Sequence, residues 1–84
     1  MRIAGVRVGI PAVRLLVQIV DDAGFHGTAQ TLADAIELKA VEPALTVEDH
    51  DAMLAALGNH CPSGLARLRR ELLDQQLMRR RLQA

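Results

Sequence analysis

The sequence predicts an all-α domain: four helices arranged as two αα hairpins in a small orthogonal or bundle-like domain, over residues 1–84. Three observations predict it. Half of the residues are hydrophobic, with Ala, Leu and Val dominant, and Ala and Leu are strong helix formers. The lone aromatic, Phe25, leaves a core suited to close helix packing and not to a sheet sandwich. Apolar residues recur at helical spacing in four stretches, separated by Gly and Pro.

The first stretch is extended. Arg2 to Val8 alternates loosely and carries β-branched residues. Gly9 and Pro11 then open a helix over about Ile10 to Ala23, with Pro11 in the first turn, where its missing N–H costs nothing. Ile10, Val13, Leu16, Val17 and Val20 form one stripe, while Leu15 and Ile19 lie opposite. A helix apolar on two sides needs cover on two sides, which makes Leu15 and Ile19 the first candidates for a chain–chain contact.

Gly24 suits a left-handed helix stop, with Phe25 closing the hydrophobic contact. Thr28 is the expected cap of a second helix, about Ala29 to Val41, carrying Leu32, Ala33 and Ile36 inward. Pro43 stops it. Thr46 and Asp49 form an Asp version of the capping box for a third helix, Val47 to Leu57, ending at Gly58-Asn59. A fourth begins near Leu65, beyond Pro62-Ser63-Gly64. The extended pieces at 3–8 and 43–47, each opening a helix at an offset of about 37 residues, form a faint internal repeat and can pair as a minimal ribbon.

The fourth helix changes character midway. Leu65, Leu68 and Leu72 point inward, but their stripe continues onto Gln75, Gln76 and Arg79. Docking is therefore expected only to about Leu73, leaving 75–84 as a basic tail that either frays or packs on a partner chain. Leu73, Leu77 and Met78 are second candidates for that contact.

Between Val13 and Glu37 the run Gly24-Phe25-His26-Gly27-Thr28-Ala29, between two apolar helices, resembles the LisH hairpin. That likeness implies dimerisation, two hairpins joining in a four-helix bundle. It covers about 25 residues and lacks the family's aromatic on the first helix. The whole chain is similar to small uncharacterised helical proteins of actinobacterial type, through Leu45 to Asp49 and Pro62 to Arg69. No function comes with that similarity.

Charge is balanced overall and divided by position. Residues 1–64 carry Arg2, Arg7, Arg14 and Lys39 against eight acids, a net −4; residues 65–84 carry six arginines against Glu71 and Asp74, a net +4. Arg67, Arg70, Arg79, Arg80 and Arg81 form a candidate basic patch. Its plain reading is a solvated helix end complementing the helix dipole. Nucleic acid is the alternative partner, against which stand zero net charge and no aromatic platform for stacked bases.

Catalytic and metal chemistry find little support. His26, His50, His60 and Cys61 show neither C-x-x-C nor H-x-x-x-H spacing. No phosphate loop or nucleophile elbow occurs. The expectation is no enzyme, no cofactor, no metal and no small-molecule substrate, with protein, a second copy first, as the partner. His50 falls on the stripe Val47, His50, Leu54, Leu57, where burial and neighbouring acids pull its pKa in opposite directions, so it is a candidate pH-sensitive contact. One cysteine makes no internal disulfide and points to a reducing, cytoplasmic setting. No apolar run approaches the ~18 residues of a membrane span, and no membrane partner is expected.

Overall fold

The computed structural model describes residues 1–83. It is an all-α domain: α1 (Ile10–Asp22), α2 (His26–Glu37), α3 (Val47–Asn59) and α4 (Ala66–Gln83), with a 3-10 turn at Ser63–Leu65 leading into α4. A two-stranded antiparallel ribbon, β1 (Arg2–Ile3) and β2 (Val6–Arg7), precedes α1. α1 lies centrally, packing on both α2 and α3, and α3 packs in turn on α4. The core runs through Val13, Leu16 and Val20 of α1, Leu32, Met53 and Leu57, and Leu65, Leu68 and Leu72. Ile3 and Val6 of the ribbon, with Val8 just after it, join this core.

The ribbon departs from the expected pairing of 3–8 with 43–47. It is a local hairpin with Ile3 opposite Val6 and Arg2 opposite Arg7. Ala4 and Gly5 both take positive φ, 52° and 81°, the pattern of a type I′ turn whose twist suits short hairpins. Closing two residues fixes far less chain than closing a loop of about 40, so the local pairing wins. The 43–47 segment contributes nothing to it, although nearby Val41 accepts a hydrogen bond from Arg2 N–H at 2.7 Å.

Gly24, at φ 95°, ends α1 in a Schellman motif: Phe25 N–H bonds Val20 O at 3.1 Å and Gly24 N–H bonds Asp21 O at 2.9 Å. α2 starts earlier than expected, at His26 with Phe25 as cap, and stops earlier, at Glu37. Thr28 therefore sits inside the first turn and is buried, not the cap. The early stop is a second Schellman motif, with Ala40 N–H on Ala35 O (2.9 Å) and Lys39 N–H on Ile36 O (3.1 Å). Lys39 takes the left-handed position there, φ 54°, a conformation that costs a residue with a Cβ. Lys39→Gly is expected to raise stability by about 0.5–1 kcal/mol in urea denaturation, because glycine removes that cost. A loss of stability would show that Lys39's stem packing outweighs it.

The Thr46–Asp49 capping box forms as expected, with Asp49 N–H on Thr46 Oγ1 at 3.1 Å and Thr46 N–H on Asp49 Oδ2 at 3.0 Å. The buried face of α3 is Ala52, Met53, Ala56 and Leu57. The predicted stripe is displaced from it: Val47 is exposed, while His50 and Leu54 are half-buried.

Candidate functional site

The fourth helix does not leave the domain at Leu73. It continues to Gln83, and the stripe that turns polar there docks through hydrogen bonds. Gln75 Nε2 donates to Ala4 O in the ribbon turn at 3.1 Å. Gln76 Nε2 donates to Asp51 Oδ1 on α3 at 3.3 Å, and Arg79 makes an ion pair with the same carboxylate oxygen. The expectation of a tail undocked past Leu73 is thus overturned. The apolar seam became a polar one, and no sequence periodicity of apolar residues can register that.

These bonds fix how α4 is turned. Gln75 faces the ribbon, and Gln76, about 100° further round, faces α3. Continuing in that direction, the outer flank presents Arg69, Arg80, Leu73 and Leu77. Leu73 is 37% and Leu77 43% exposed, at an i, i+4 spacing that makes them neighbours. Met78, 57% exposed, lies on the ribbon side of the helix, away from this pair.

Of the arginines on α4, only Arg79 is within ion-pair distance of an Asp or Glu side chain among the described residues. It is therefore part of the fold, and its charge is spent on Asp51. Arg67, Arg70, Arg80 and Arg81 are exposed, as is Arg69. Of the five arginines predicted as a basic patch, four are exposed and Arg79 is engaged by Asp51.

Beside α4's second half opens a shallow cleft of about 580 Å³ at the starts of α2 and α3. Phe25, His26, Glu48, Asp49 and Asp51 line it. Phe25, which lines this cleft, is 37% exposed. The Thr28 hydroxyl donates to Asp49, and this bond, followed by the Thr46 backbone bond, holds the Asp49 carboxyl below its ordinary 3.8. Sequence reasoning missed the Thr28–Asp49 link because it joins positions 21 residues apart.

Burial pushes the His50 imidazole below its ordinary 6.5, and the Arg79 guanidinium adds to that, outweighing Asp49 and Asp51. Because folding disfavours the charged ring, the unfolded chain takes up the proton first as pH falls through 6.5, and stability falls with it. Stability contributed by a neutral His50 is complete above that value. His50→Gln is expected to flatten the dependence of the thermal midpoint on pH in the range just below 6.5. An unchanged slope would remove His50 from the pH response.

Leu15 and Ile19 part company. Ile19 is half-buried against the core, beside Ala56 and His60 of the α3 end, whereas Leu15 is 48% exposed. The back of α1 is thus partly covered by its own chain. Gly64 of the 3-10 turn adds to that cover, since a Cβ there would touch Ala12 at 3.9 Å. Cys61 is half-buried with its Sγ 3.6 Å from Pro62 O, while His60 is exposed. Among the described residues no group of three or more His, Cys, Asp or Glu is placed to hold a metal ion, and no helix is long and apolar enough to cross a membrane. No known protein family, curated protein or solved structure matches this chain.

Proposed function

We propose that this chain is a non-enzymatic protein-interaction module that associates with its own copy through the outer flank of α4. The observation that carries the reading is the pair Leu73 and Leu77, exposed beside Arg69 and Arg80, which have no acidic partner among the described residues. Exposed apolar side chains in contiguous pairs gain most from being covered, and a domain this small gains stability from assembly. Leu15, half exposed on α1, is a secondary contact, and Ile19 serves mainly the fold.

Sedimentation equilibrium tests the reading directly. The expected result is a concentration-dependent rise from one chain mass to two across the micromolar range. A single-chain mass up to millimolar concentration would overturn it.

The exposed arginines of α4 favour one second reading, contact with nucleic-acid phosphates. A gel shift that weakens steeply with salt, in a protein that stays monomeric, would select this reading over the first.

A further inference from the structure

Resting on the self-association reading, we infer that the surface which receives α4 is the acidic cleft of a second copy, so that two chains pair reciprocally about a two-fold axis. Each copy lays its α4 flank over the other's cleft, Leu73 and Leu77 against Phe25, and Arg80 against Glu48.

Three observations lead here. The first is size. An 18-residue helix is about 27 Å long and about 10 Å wide, so one flank presents roughly 270 Å², well short of the ~800 Å² per partner of a stable interface. A dimer through α4 must therefore use adjoining surface as well.

The second is adjacency. Asp51 lines the cleft and also binds Gln76 and Arg79 of α4, so cleft and helix lie side by side on one face. A two-fold axis brings such neighbouring patches onto each other twice, doubling the contact without any new surface.

The third is charge. The exposed arginines of α4 forbid stacking α4 on its own copy, where like charges would meet. The cleft carries the opposite sign. Asp49 is occupied by Thr28 and Thr46, and Asp51 by Gln76 and Arg79, but Glu48 has no hydrogen-bonding or ion-pair partner among the described residues. It is the carboxylate left over for a cation from outside, and Phe25 beside it offers an apolar surface for the leucines.

Charge reversal tests the pairing. Glu48→Arg alone and Arg80→Glu alone are each expected to raise the dimer dissociation constant at least about tenfold, since each substitution acts at two symmetric contacts. The double variant E48R/R80E is expected to return to within about threefold of the unaltered protein, because it restores opposite charges across the interface. Association should also weaken as salt rises from low to moderate concentration. A dimer indifferent to both reversals and to salt would overturn the cleft assignment while leaving self-association standing. Reversals that weaken the dimer without rescue in the double variant would overturn the Glu48–Arg80 pairing. A protein monomeric under all conditions would overturn the inference together with the reading beneath it. Circular dichroism melts of every variant separate loss of pairing from loss of fold.

Discussion

Leu73→Glu with Leu77→Glu is expected to give a folded, monomeric protein whose helix content and thermal midpoint match those of the unaltered chain. Within one chain neither leucine is in the core, and Leu and Glu have similar helix propensity. The new carboxylates would stand one turn from Arg69 and Arg70 on one side and from Arg80 and Arg81 on the other, spacings at which opposite charges attract on a helix. Folding should therefore lose nothing. Association should collapse. Only the part of each leucine still exposed is left to cover, which contributes about 1–2.5 kcal/mol on each chain and about 2–5 kcal/mol over two symmetric copies, so losing it raises the dissociation constant by roughly 10²–10³. Burying an unpaired carboxylate in the contact adds to that loss. Met78→Glu, on the other side of the helix, serves as the control and should leave the dimer in place. Light scattering after size exclusion reads all three, and a double variant that still runs as a dimer would remove α4's flank from the interface.

Thr28→Val carries the second large effect, this time on the fold. The side chain is buried, and valine matches its shape, so the change deletes one hydroxyl and little else. That hydroxyl donates to Asp49, which also closes the capping box of α3. A hydrogen bond to an ionised carboxylate contributes about 1.5–3 kcal/mol, and partial water access at Asp49 places the expected loss near the lower end. The pH response supplies an independent reading. Asp49's carboxyl is held below 3.8 chiefly by Thr28, so its contribution is complete above that value and disappears as pH falls through the lower folded pKa. In Thr28→Val that acid-labile part should shrink, flattening the stability profile below pH 3.8. A loss of stability that is the same at every pH would mean that the hydroxyl acts through packing and not through the carboxylate.

Much of the architecture was legible before any coordinates. Gly24 announces the α1 stop because only a residue free of a Cβ takes φ 95° without cost, and Thr46 with Asp49 announces α3 because a capping box is a local exchange of hydrogen bonds. The end of α2 was not legible. It rests on Lys39 in a left-handed conformation, which local preference argues against. The site was half legible. Leu73 and Leu77 could be picked as outward-facing because they fall off the Leu65, Leu68, Leu72 stripe. The cleft beside them was invisible, since Phe25 and Glu48 lie 23 positions apart and meet only when α2 and α3 start at the same corner.

The sequence by itself determined the four helices, the inward stripes of α1, α2 and α4, and the division of charge between the first 64 residues and the last 20, because these depend on residue type and on a period of 3.6. Tertiary structure alone decided which side of each helix remained open. Arg79 was spent on Asp51, Ile19 found cover at the end of α3, Gln75 and Gln76 turned α4 by bonding the ribbon and α3, and the ribbon closed on itself. Polar docking carries no periodic signature, and whether a side chain is covered depends on elements far away in the chain, so these outcomes follow from the packing of the whole and from no segment alone.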